Sequence, residues 1–172
     1  HTRGFVFRIF NGRKFTELAD PNVLTLKRHV EKLVAKINLY DDIELVSYAP
    51  ITLDKELPMK KDITTISLED KIHKIHHIYE IIEGLDESLV NVILSYQDSL
   101  LKRIFINTEG SQLRQAIPRT RLLVQPIVQV ANQRDFDFKL YSHQGGLELL
   151  DRVSFEDLSQ LEKSSKQLCV AK

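Results

Sequence analysis

Three histidines and a glutamate fall within eight positions of KIHKIHHIYE at 71–80. His73 and His77 stand at i and i+4, the spacing at which two imidazoles on one helix can share a metal, and Glu80 follows one turn later. A zinc protease helix of that kind carries a glutamate directly after its first histidine as general base, whereas Lys74 follows His73 here. No histidine in the chain is followed by glutamate, and Lys71 and Lys74 place positive charge where a dication would sit. The cluster therefore reads as a solvated helix face, with at most adventitious affinity for nickel or zinc.

Two further stretches carry chemistry. In FINTEGSQLRQAIPRTRL (105–122), Asn107 to Gly110 reads as a hairpin turn, and Arg114, Arg119 and Arg121 follow on the next strand. Arginines two apart on a strand share a face, so Arg119 and Arg121 form a pair able to grip a carboxylate or a phosphate; the alternative is a charged outer face of a half-exposed sheet. In SHQGGLELLD (142–151), Gly145 and Gly146 allow backbone to approach a ligand closely, or simply turn a strand into a helix. No phosphate-binding loop and no G-x-S-x-G elbow occurs. Cys169, between Leu168 and Val170, has no base near it in sequence and reads as a buried structural thiol.

The elements that must hold these residues follow from period and punctuation. GFVFRIF (4–10) and RKFTELA (13–19) flank Asn11-Gly12 and form a hairpin with Phe5, Phe7 and Ile9 on one face. A helix over 20–37 starts with Asp20 as cap and Pro21 in its first turn, and buries Leu26, Val30, Leu33, Val34 and Ile37. Residues 45–66 are a surface connection with short extended pieces. A second helix over 67–84 opens on a Ser67/Asp70 capping box and stops at Gly84. Its buried stripe is Leu68, Ile72, Ile75, Tyr79 and Ile82, with His73, His77 and Glu80 roughly 110–170° away. Five short strands follow, at 89–96, 101–107, 111–117, 119–131 and 136–142. They are separated at Gln97-Asp98-Ser99, at the Asn107–Gly110 turn, at Pro118 and at Asn132–Asp135. Pro126 implies an edge or a bulge. A third helix over about 154–170 repeats the capping pattern with Ser154 and Asp157 and faces Leu158, Leu161 and Leu168 inward. Strands in runs rather than in alternation predict an α+β fold: an antiparallel meander with helices packed on one face, a two-layer sandwich. The whole of 1–172 reads as one domain.

Composition narrows the function. Lys plus Arg and Asp plus Glu are 24 each, so there is no general pull toward nucleic acid or an anionic membrane. No run approaches the roughly 20 apolar residues of a membrane helix, and the start does not read as a signal peptide. One cysteine excludes an internal disulfide and suits the cytoplasm. The chain opens almost inside a strand, as an excised piece of a longer protein would.

Taken in order, GFVFRIFNGRKFTELAD, SLEDKIHKIHHI, YQDSLLKRIFINTEGSQLRQAIPRTRLLVQPIVQVAN and HQGGLELL resemble the N-terminal part of the TldD/PmbA family. The family's early Gly-x-x-x-Arg-hydrophobic strand stands here at Gly4 to Ile9, with Arg8 in the arginine place. Its hydroxyl-x-Glu-x-Lys helix start stands at Ser67, Glu69 and Lys71. Its turn and following strand stand at Asn107-Thr108-Glu109-Gly110 and Ile117-Pro118-Arg119-Thr120-Arg121-Leu122. The resemblance implies a cytosolic, dimeric zinc metallopeptidase acting on peptides or partly unfolded proteins, of a kind once described as modulators of DNA gyrase. It also implies that zinc is held by an HExxxH helix and a later cysteine in a C-terminal half absent here. Cys169 does not match that cysteine, Thr108 replaces a serine, and the family's glycine-rich stretch is shortened to HQGG.

The expected role is thus a non-catalytic domain that walls a substrate channel and supports a homo- or heterodimer, inactive alone. It has no catalytic residue, metal ligand or cofactor of its own, and zinc is expected in the missing domain. Substrate contacts are expected at Glu109, Gly110, Arg119, Arg121, Gly145 and Gly146. The alternative is a protein- or DNA-binding module linked to DNA gyrase, although zero net charge argues against direct nucleic-acid binding.

Overall fold

The computed structural model describes residues 3–40 and 48–171. Residues 45–47, the start of the predicted connection, lie outside the described residues. The chain divides into two compact units, His1–Tyr48 and Ala49–Lys172.

The first unit is the predicted hairpin and helix. β1 (Phe5–Phe10) pairs antiparallel with β2 (Phe15–Asp20), and Phe5, Phe7 and Ile9 share a face with Asp20, Leu18 and Thr16 opposite them. Asn11 holds the turn, its side-chain oxygen accepting from the N–H groups of Arg13 and Lys14. α1 (Val23–Val34) begins later than its sequence suggests, because Asn22 and not Asp20 is the cap: its Oδ1 accepts from the Leu24 N–H. Asp20 is the buried end of β2, accepting from Asn22 N–H and Thr25 Oγ1 and lying 2.7 Å from His29 Nδ1. Those hydrogen bonds, the Asn22 N–H first, hold its carboxyl below the ordinary carboxylate range. Val34, expected in the buried stripe, is exposed.

The second unit is an α+β two-layer sandwich, but its strands are fewer and longer than the turn residues suggest. β4 (Leu89–Ile106) runs unbroken through Gln97-Asp98-Ser99, and β5 (Gln112–Val130) runs unbroken through Pro118 and Pro126. They form one long antiparallel hairpin turned at Asn107–Gly110. β3 (Thr52–Glu56), inside the predicted connection, pairs parallel with β5, and β7 (Lys139–His143) and β6 (Gln133–Phe136) follow it along the same edge. The prolines sit in the gaps. β3 ends opposite Ala116, β7 covers Thr120 to Val124, and β6 starts opposite Ile127. The Gln112 N–H donates to Ile51 O and Ala116 O accepts from the Leu57 N–H, so even-numbered β5 positions serve this edge. Pro118 and Pro126 therefore lack only N–H groups that no partner strand would have used.

Even-numbered β5 side chains are also the buried ones: Pro118, Thr120, Leu122, Val124, Pro126 and Val128. α2 (Leu68–Glu83), the 3-10 helix Leu147–Arg152 and α3 (Phe155–Val170) close this face, with Ile63, Ile78, Ile82, Leu147, Leu149, Leu158 and Leu161 in one core with Leu122 and Val124. Ser67 and Ser154 cap α2 and α3 as expected, accepting from the N–H groups of Asp70 and Asp157. The buried line of α2 is rotated from the predicted stripe. Ile78 and Ile82 are buried, whereas Leu68 is 73% and Ile72 55% exposed. On α3, Cys169 is buried and Leu168 is exposed. In each case the sheet takes a narrower strip of the helix than its apolar residues span.

An ion triad ties α3 to the turn before β4. Lys166 Nζ lies 2.8 Å from Glu162 Oε1 and also pairs with Asp86. Lys166, then the Ser88 N–H, holds the Asp86 carboxyl down to about 2. Glu162 is only 4% exposed. Lys166→Met should cost about 2 kcal/mol in urea unfolding, below the ~3–5 kcal/mol of a fully buried pair because Lys166 is partly wetted. A loss under about 0.5 kcal/mol, the range of ordinary surface changes, would show that the triad is not a structural tie.

Candidate functional site

α2 carries its histidines outward. His73, His76, His77 and Glu80 are all exposed, and Glu80 receives both neighbours, with His76 Nδ1 at 3.2 Å and His77 Nδ1 at 3.6 Å. No three His, Cys, Asp or Glu side chains among the described residues come together to hold a metal ion. The described residues thus offer no donor set that fits zinc. Lys71, two residues before the cluster, turns inward: its Nζ donates to Ile63 O and pairs with Asp98 at 2.7 Å. Tyr96 Oη donates to the same carboxylate, and burial followed by that carboxylate raises the Tyr96 hydroxyl well above its usual range. Asp98 therefore continues a strand that its residue type seemed to break.

The expected contact residues fall in three places. Glu109 and Gly110 sit at the exposed tip of the long hairpin. Gly110 takes φ 91°, and the Glu109 carboxylate accepts from Asn107 Nδ2 at 3.2 Å. Arg119 and Arg121 project from the open face of β5, about nine residues or roughly 30 Å along the strand. Gly145 and Gly146 lie under the opposite face, where Thr120 Oγ1, between the two arginines in sequence, donates to Gly146 O at 3.2 Å. The sheet itself separates the arginine pair from the glycine pair.

Around the glycines the chain is closely built. The Leu147 N–H donates to Lys61 O at 2.9 Å. Glu148, 9% exposed, accepts from the Gly146 N–H on one oxygen and the Lys61 N–H on the other, both at 2.9 Å. Burial acts to raise the Glu148 carboxyl, yet those backbone donors outweigh it and bring the group down to about 2. His143 Nε2 stands 3.6 Å from Glu148 Oε1 and 3.4 Å from an Arg152 Nη2, and Lys61 pairs with Asp151. His143, Glu148, Asp151 and Arg152, with Leu57, Pro58, Lys60 and Gln144, line a cleft of about 550 Å³. The acids of the cleft are committed to backbone or to lysine. Lys60, His143 and Arg152 line it with groups suited to hold an anion. Sequence reasoning singled out the glycines and missed Glu148, although a glutamate two residues beyond a Gly-Gly pair was the available signal.

A family model described as the PmbA/TldA metallopeptidase central domain matches residues 61–170, well over half of the chain and all within the second unit. The chain belongs to the PmbA/TldD metallopeptidase family. A relative from Methanothermobacter thermautotrophicus described as a metalloprotease is 24% identical over 127 residues, 72% of this chain and 27% of the relative. The crystal structure of a protein from Thermotoga maritima MSB8, described as a candidate modulator of a DNA gyrase, superimposes with a TM-score of 0.55 at 15% identity. That match covers 95% of this chain and 41% of the other, and shares the fold. This PmbA/TldD chain therefore spans less than half the length of the relatives it matches. No described helix is long and apolar enough to cross a membrane.

Proposed function

We propose that this chain is a non-catalytic, substrate-holding part of a PmbA/TldD-type metallopeptidase that acts on peptides or unfolded proteins. Peptide-bond cleavage and its zinc would then belong to a part of the protein outside these residues. The protein would work in the cytoplasm as a homo- or heterodimer with another family member.

One observation carries this reading. β4 is 18 residues long, and no described strand pairs with its second edge. The odd-numbered positions of β4, such as Phe105 opposite Leu113, answer the odd positions of β5. The even positions, Val92 through Ile106, therefore turn their N–H and C=O groups to the open edge. Such an edge accepts an extended peptide as an added strand, through main-chain hydrogen bonds that ignore sequence. An exposed edge of this length is otherwise a liability for aggregation.

Lys102→Pro removes one outward donor without touching the ladder to β5. It should weaken binding of a fluorescein-labelled, neutral, unstructured 12-residue peptide at least tenfold, read by polarisation, while a thermal melt shows the fold intact. A peptide N-methylated at alternate residues should bind equally poorly to the native chain. Undiminished binding in both cases sinks the edge reading, and chelator-sensitive cleavage by this chain alone sinks the non-catalytic one.

A module acting on DNA gyrase is the second reading. It is favoured only by the description of the Thermotoga maritima protein and by the Arg119 and Arg121 face.

A further inference from the structure

The face of the sheet turned away from the helices has a composition that the zero net charge of the chain conceals. Register places Lys55, Arg103, Arg119, Arg121 and Arg134 on it. Among the described residues, the strands bring no aspartate or glutamate to that face: β5 contains none, and Asp54, Glu56, Asp98 and Asp135 all point to the other side. No carboxylate among the described residues pairs with Arg119 or Arg121. The cations are arranged in rows. Lys55 and Arg103 flank Gln115; Ile117 and Leu101 make an apolar row beyond them; Arg119 and then Arg121 come next, beside Ser99 and Gln97; Leu123 with Leu140 makes a second apolar row. Successive rows on one face are about 6.7 Å apart.

We infer that this face docks an acidic, amphipathic polypeptide segment, its carboxylates on Arg119 and Arg121 and its apolar side chains on the flanking rows. Five unopposed cations would repel one another and draw in anionic partners, and bidentate guanidinium–carboxylate pairs would fix the register. A second copy of the chain does not fit, because symmetric pairing would set cation against cation. Single-stranded nucleic acid fits less well: stacking needs aromatic side chains beside the cations, and the strand aromatics of this face, Phe105 and Phe136, stand opposite Leu113 and Ile127, roughly 45 Å apart along β5. This surface is separate from the β4 edge and stands or falls without it.

The test uses the 172-residue chain and two fluorescein-labelled 14-residue peptides, one alternating Glu with Leu and Ser, the other with Lys in place of Glu. The Glu peptide should bind at least tenfold more tightly, and its affinity should fall between 50 and 300 mM salt as expected for screened charge. Arg119→Glu with Arg121→Glu should lose at least tenfold. Lys74→Glu on the solvent side of α2 should lose little, and melts of all variants should match. Equal binding of the two peptides, or binding unchanged in the double variant, overturns the inference. So does preferential binding of a 14-residue oligothymidylate through the same arginines, or a self-association that the double variant abolishes.

Discussion

Gly146→Ala should destabilise the second unit by about 3–4 kcal/mol in urea unfolding, whereas Gly145→Ala should cost about 1 kcal/mol. The difference lies in what each new methyl group would meet. At Gly146 it would stand 1.9 Å from Lys61 O and 2.8 Å from the Glu148 carboxylate. A main-chain carbonyl cannot step aside without releasing the Leu147 N–H that it holds, and with it the Lys61 N–H on Glu148. At Gly145 the new methyl would lie 2.3 Å from the tip of the His143 ring and 2.7 Å from Glu148 Oε1, and the ring can swing into the cleft. Equal losses at the two positions, or a loss under 1 kcal/mol at Gly146, would show that the loop does not depend on this close approach.

Acid should then release the same loop. The Glu148 carboxyl lies at about 2, against an ordinary 4.5. A group depressed on folding contributes its stability above the unfolded value and loses it as pH falls toward the folded one. The Glu148 share is therefore complete above about pH 4.5 and drains away down to about pH 2. Its size is roughly 3 kcal/mol at neutral pH, from about 1.4 kcal/mol per pH unit of depression. Glu148→Gln keeps the shape but turns an N–H₂ toward a backbone N–H, and should lose about 2–3 kcal/mol at pH 7. Asp86 titrates in the same window, so the diagnostic quantity is the gap between native protein and Glu148→Gln, which should close between pH 4.5 and 2. A gap that stays constant across that range would mean that the variant acts by shape rather than by charge.

Much of this was legible because it is local. Ser67 with Asp70, Ser154 with Asp157 and the Asn107–Gly110 turn each satisfy their hydrogen bonds within four residues, and each was read correctly from the sequence. The outward face of His73, His77 and Glu80 followed from helical period alone. The errors arose where a local preference met a distant partner. Gln97-Asp98-Ser99 looks like a turn, but Asp98 is taken up by Lys71 from another element, and Gln97 and Ser99 simply continue the outward alternation. Asp20 and Asn22 are both competent caps, and His29, nine residues on, claims Asp20. Pro118 and Pro126 break strands whose N–H groups are needed, and only the positions of β3, β6 and β7 reveal that theirs are not.

The sequence alone determined the three helices, the caps of α2 and α3 and the α+β class, because these depend on period, composition and neighbouring residues, while the order of its motifs carried the family resemblance. Tertiary structure decided which face of the sheet each residue serves. It set Arg119 and Arg121 on one side and Gly146 on the other, left an edge of β4 open, and joined Lys61 to Glu148 across 87 positions. A strand's two faces are equivalent until something packs on one of them, and what packs here arrives from far along the chain.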